Sequence, residues 1–119
     1  MIITTIATFE MRKGREARAL KLVAAVKRQA EREQPGTLVY MVHRVLSKQT
    51  GQPTRHLYFY ERYRNEAALQ AHLKSSSWKR VAAEWSECFT GRSPASISFF
   101  GVSRLAAFAR KGAIPSPRR

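Results

Sequence analysis

Between Phe59 and Ser75 the chain changes its period, and that change limits what it can fold into. From Arg55 to Tyr63 the residues alternate, with Leu57, Phe59, Glu61 and Tyr63 on one side and His56, Tyr58, Tyr60 and Arg62 on the other. Just beyond, Asn65 is a good helix N-cap, and Glu66 is well placed in the first turn. The helix it starts carries Ala68, Leu69, His72 and Leu73 on one face. A strand largely apolar or aromatic on both faces predicts a central strand covered twice, by helices on one side and by something else on the other.

The remaining segments fit around this unit. Ile2 to Phe9 is rich in β-branched residues and predicts a first strand. After a polar turn at Met11 to Gly14, Ala19, Leu22, Val23, Val26 and Ala30 fall on one face of a helix from Arg15 to about Glu33. Arg18, Lys21, Arg28 and Arg32 form a basic stripe on that helix, and Pro35-Gly36 stops it. Thr37 to Ser47 alternates as a second strand, with Leu38, Tyr40, Val42, Arg44 and Leu46 on one face, and Lys48 to Pro53 makes a hairpin loop. Ser75 to Ser77 interrupt the second helical region, with Ser77 expected to cap its next piece. That piece carries Trp78, Val81, Ala82, Trp85 and Phe89 at helical spacing, and Gly91 and Pro94 end it. Ser96 to Gly101 is the last predicted strand.

The order is βαββαβ, a ferredoxin-like α+β fold with an antiparallel sheet, expected over residues 1–101. Residues 102–119 form a basic C-terminal extension. Within it Val102, Leu105, Ala106 and Phe108 are compatible with a short amphipathic helix, and Pro115 to Arg119 are expected to be disordered.

A chain of 119 residues suits one domain with a modest core. No run approaches ~20 apolar residues, so no membrane span is predicted. Met1 to Ile6 is short, contains threonines and lacks a basic leader, unlike a signal peptide. The single cysteine, Cys88, excludes an internal disulfide and is expected to be a buried small hydrophobe, which fits a cytoplasmic location. The formal net charge is +14 and there is no aspartate, which raises nucleic acid or an anionic surface as a partner. The cations are spread along the whole chain and RNP-like aromatic motifs are absent, so solvated surface is the simpler account and nucleic acid is not expected.

His72 is the first candidate for chemistry. Its helical neighbours are apolar, so its imidazole should face the sheet, where Glu61 or Tyr63 can meet it and where it can accept a proton near neutral pH. The alternative is a hydrogen-bonded core histidine. Glu61, the acid within the third-strand pattern, needs a partner if buried and serves either as a base, as a group orienting His72, or as half of a structural ion pair. Tyr40, Phe59, Tyr63, Trp78 and Trp85 can line a slot for a planar ring, or pack as plain core. Gly-rich phosphate loops, Gly-x-Ser-x-Gly and His-Glu-x-x-His are absent, and the histidines are too scattered for a metal set.

Pro35-Gly-Thr-Leu-Val-Tyr40, together with Tyr60-Glu-Arg-Tyr63 followed by Ala68-Leu-Gln-Ala-His72, resembles the antibiotic biosynthesis monooxygenase family of dimeric α+β barrels. The resemblance implies a homodimer and an oxygenase working without bound flavin, haem or metal. It further implies dioxygen and a small aromatic substrate, such as a quinol or polyphenol, with His72 as proton acceptor and Glu61 orienting it. Haem-degrading relatives use an asparagine on the first strand, where this chain offers Thr4, Thr5 and Thr8. An isomerase or a small-molecule binding protein on the same fold is the rival expectation.

Overall fold

The computed structural model describes residues 1–94 and 98–114. Strands β1 (Ile3–Glu10), β2 (Thr37–Leu46), β3 (Pro53–Tyr63) and β4 (Ser98–Val102) form one sheet in the order β2-β3-β1-β4, with every neighbouring pair antiparallel. Helices α1 (Glu16–Glu33), α2 (Glu66–Leu73), α3 (Ser76–Ala83) and α4 (Trp85–Cys88) complete the ferredoxin-like arrangement. The start of the last strand at Ser96 and the disorder expected for Pro115 to Arg119 lie outside the described residues. The expected amphipathic helix after β4 does not form: Val102 still belongs to the strand, and Leu105 and Phe108 are exposed in irregular chain. Without a surface to receive those side chains, a few helical bonds do not offset the cost of nucleation.

The sheet buries one face. In β3, Leu57, Phe59, Glu61 and Tyr63 are buried, whereas His56 and Tyr58 on the other face are exposed. Register places Phe9 opposite Leu57, Ala7 opposite Phe59 and Thr5 opposite Glu61. Ala19, Leu22, Val23, Val26 and Ala30 of α1 are buried, as the helical periodicity requires. Phe9 is the hub of the core, its ring centroid 4.4 Å from Phe59, 5.2 Å from Trp85 and 5.5 Å from Phe89.

The second helical region differs in detail from the sequence expectation. Ser75, not Ser77, caps α3, its side chain accepting from the Trp78 amide at 3.4 Å and donating to the His72 carbonyl at 2.7 Å. The helical line from Trp78 to Phe89 breaks at Glu84, and Ala82 is exposed. Trp85 and Phe89 stay buried because α4 restarts at that point, stacking the two rings 4.6 Å apart. Arg18 leaves the basic stripe of α1 to pair with Glu84 and Glu87, so that face is not uniformly unpaired. Cys88 is fully buried, as expected.

The corner between α1 and β2 is packed against α2. A Cβ on Gly36 would stand 2.6 Å from the Ala68 Cβ, and the Arg64 amide donates to the Gly36 carbonyl at 2.8 Å. Glycine is required here by closeness of approach. Gly36→Ala is expected to destabilise the fold by about 1–3 kcal/mol. Urea unfolding of Gly36→Ala, Ala68→Gly and the double variant should show a favourable coupling energy, because removing the Ala68 methyl relieves the clash. Additive losses would show that the two positions do not touch.

Candidate active site

A pocket of about 270 Å³ lies between the buried sheet face and the helices, lined among the described residues by Ala7, Phe9, Tyr40, Glu61, His72, Leu73, Trp78, Pro94 and Phe99. Strand alternation aims Tyr40 from β2 and Glu61 from β3 into it, since the two are cross-strand partners on the helix-facing side. The Asn65 cap starts α2 by accepting from the Ala68 amide at 2.9 Å, which sets the helical phase that turns Leu69 and His72 inward.

Of the residues singled out from the sequence, His72, Glu61, Tyr40 and Trp78 come together on the pocket wall. Phe59, Tyr63 and Trp85 do not reach it. Phe59 and Trp85 belong to the core behind the wall, and the Trp85 indole donates to the Thr90 carbonyl at 3.1 Å. Tyr63 lies one step further along β3, where its hydroxyl donates a short hydrogen bond to Glu61 Oε1. Phe9 and Ala7 were recognisable only in part, through the alternation of β1 that groups them with Thr5. Pro94 and Phe99 depend on how the chain returns to the sheet edge, and no local signal marks them.

His72 does pack against Tyr63, one of the two third-strand residues expected to meet it, but its Nδ1 hydrogen bond goes elsewhere. Its Nδ1 lies 2.9 Å from the side-chain oxygen of Gln34, at the end of α1, and its ring packs edge-on to Tyr40 at 5.3 Å and tilted to Tyr63 at 5.5 Å. Glu61 is held by Tyr63 and not by His72. The reason is geometric: Glu61 and Tyr63 project from the same strand face two residues apart, within reach of each other, whereas Nδ1 of His72 is turned toward the α1–β2 corner.

Both acid–base groups are pushed toward their neutral forms. Burial lowers the His72 pKa from 6.5 to about 4, so the imidazole is uncharged at neutral pH. Burial raises that of Glu61, opposed by the hydrogen bond from Tyr63, which favours the carboxylate. Burial, followed by the nearby Glu61 charge, also drives the Tyr40 and Tyr63 hydroxyls above the usual phenol range. Thr5 Oγ1, on the strand position opposite Glu61, is buried without a hydrogen-bond partner among the described residues. Among the described residues no three His, Cys, Asp or Glu side chains come close enough to hold a metal ion.

The fold is thus a ferredoxin-like α+β domain with a pocket lined largely by aromatic and aliphatic side chains. The family model for antibiotic biosynthesis monooxygenases matches residues 2–84, β1 through α3, and the chain belongs to that family. Solved structures with the same fold include the protein PA3566 from Pseudomonas aeruginosa, with 21% identity, a TM-score of 0.68, and coverage of 88% of this chain and 95% of that one. Rv0793 from Mycobacterium tuberculosis has 22% identity and a TM-score of 0.68, covering 92% of this chain and 100% of its own. A protein from Bacteroides thetaiotaomicron assigned to the antibiotic biosynthesis monooxygenases has 16% identity and a TM-score of 0.71, with coverage of 92% and 94%. No curated protein matches the sequence significantly.

The two shifted groups give opposite pH signatures. As pH falls below 6.5 the unfolded chain protonates at position 72, whereas the folded protein resists until about 4. The stability that neutral His72 contributes is therefore present above pH 6.5 and is lost toward pH 4, by on the order of 3 kcal/mol. Glu61, with its folded pKa raised, contributes stability that is present at low pH and declines as pH rises past 4.5. Denaturant melts between pH 7 and 4 should thus show a slope that His72→Gln flattens and Glu61→Gln steepens. A His72→Gln protein with the wild-type slope would rule out a depressed histidine pKa.

Proposed function

We propose that the protein is a cofactor-independent oxygenase acting on a quinol or similar polyphenol, with His72 as proton acceptor. What supports this is one observation, a buried imidazole held neutral on the wall of a pocket otherwise lined largely by aromatic and aliphatic side chains. Such a wall receives a planar ring through stacking and apolar burial. A neutral imidazole in a dry site accepts the phenol proton, and the phenolate that results stabilises the buried imidazolium beside it. The electron-rich ring then donates its own electrons to dioxygen. One oxygen atom enters the ring, the other leaves as water, and a quinol becomes a hydroxyquinone with no outside reductant. Glu61, its pKa raised by burial and its carboxylate accepting from Tyr63, binds a second hydroxyl of the ring in this reading instead of orienting His72.

The sheet face away from the helices carries Ile6, Val39, Met41, Tyr58, Tyr60, Phe100 and Val102 by strand parity and register. Phe100 is 48% and Tyr58 37% exposed in the single chain. Thr4, Thr8, His43 and Arg62 share this face, and we assign it to a homodimer in which two sheets cover each other, since exposed rings such as Phe100 are better placed against a partner than in water. No helix among the described residues is long and apolar enough to cross a membrane. With its one cysteine buried, the chain fits the reducing cytoplasm.

Light scattering at micromolar concentration should report about twice the 13.6 kDa chain mass; a clean monomer would remove the dimer. For the reaction, oxygen uptake across a panel of quinols should identify a substrate. On that substrate His72→Ala should lower turnover per folded molecule by roughly 100-fold or more. Substrate conversion without oxygen uptake would favour an isomerase on this fold, and unchanged turnover alongside lowered stability would return His72 to the core.

A further inference from the structure

We propose that Gln34 is a positioning residue that fixes the tautomer and ring orientation of His72, so that Nε2 is the lone-pair nitrogen offered to a ligand. This rests on the assignment of His72 as proton acceptor. The side-chain oxygen of Gln34 has only lone pairs to give, so a neutral imidazole 2.9 Å away must carry its hydrogen on Nδ1. Free imidazole side chains in water favour the hydrogen on Nε2, and the hydrogen bond made by one ring nitrogen decides the state of the other. Gln34 is not part of the pocket wall and His72 is, so Nδ1 faces away from the cavity and the opposite edge of the ring remains for the ligand.

The residue is itself held in place. Thr37 Oγ1 donates to the same Gln34 oxygen at 3.4 Å, orienting the amide. The Gln34 backbone amide closes α1 by donating to the Ala30 carbonyl at 3.1 Å, and its carbonyl accepts from the Thr37 amide at 2.9 Å. Two residues on, Gly36 is pressed against Ala68 of the helix that carries His72. The distance from Gln34 to His72 is therefore set by backbone contacts on both sides. The titratable groups beside the imidazole from the other elements are Tyr40 of β2 and Tyr63 of β3, with Glu61 on the same wall; none of them is hydrogen-bonded to Nδ1.

The test is long-range proton–nitrogen correlation NMR of nitrogen-15-labelled protein at neutral pH, without any ligand. Wild type should show His72 with its hydrogen on Nδ1. Gln34→Glu, whose carboxylate also only accepts, should keep that form, and Gln34→Leu should move the population to Nε2–H. An Nε2–H tautomer in wild type, or an unchanged tautomer in Gln34→Leu, overturns the proposal. With the quinol found by oxygen uptake, Gln34→Leu should lower kcat at least about tenfold with KM little changed, because the ring then presents N–H where a lone pair is needed. A shifted tautomer with unchanged kcat would also overturn the positioning role. Failure of the proton-acceptor assignment itself would appear separately, as full turnover in His72→Ala.

Discussion

The packing of Phe9 joins the sheet to the helical layer, and the rest of the structure depends on it. The pairing of β1 with β3 puts this ring beside Phe59, and α4 brings Trp85 and Phe89 onto it from the other layer. Aromatic rings in edge and tilted contact fill this space with a large apolar area in few residues, which a chain of this size needs. Phe9 also reaches the pocket wall, with Trp78 6.0 Å away. The core therefore ends at the cavity, and the same ring supports both.

Burial is what gives the pocket its chemistry. His72 and Glu61 stand buried on one wall, and burial drives each toward its uncharged form. Water and counter-ions would return both groups to ordinary values. Neither shift depends on a ligand, since both follow from where the fold puts the two side chains. The fold supplies this through strand parity: Tyr40 and Glu61 share a cross-strand row, and α2 lays His72 over it.

Much of the fold was legible in the sequence because it rests on local period and punctuation. The alternation from Arg55 to Tyr63, the Asn65 cap and the Pro35-Gly36 stop each act within a few residues, and all appear where expected. The break at Glu84 was hidden, since Trp85 and Phe89 keep their burial through a short restarted helix and so preserve the pattern of a continuous one. For the site, side chains aimed by regular elements were foreseen: His72, Glu61, Tyr40 and Trp78. Partners were not. Gln34 reads as an ordinary polar residue at a helix end, and only the close approach of Gly36 to Ala68 brings it to His72. Tyr63 and Trp85 have suitable chemistry, but Tyr63 lies further along β3 past the wall and α4 holds Trp85 in the core behind it.

The pocket wall divides unevenly between parts that the fold cannot change and parts that it can. Ala7, Phe9, Glu61 and His72 are buried and tied to central strands or to the helix layer, whereas Phe99 stands 46% exposed on the edge strand and Pro94 lies on the stretch leading to it. An edge strand has one neighbour and tolerates new side chains without disturbing the sheet's interior. Substitution on the edge strand can thus reshape one side of the cavity while the buried wall keeps its packing. The shape of the cavity and the stability of the core are to that extent separable.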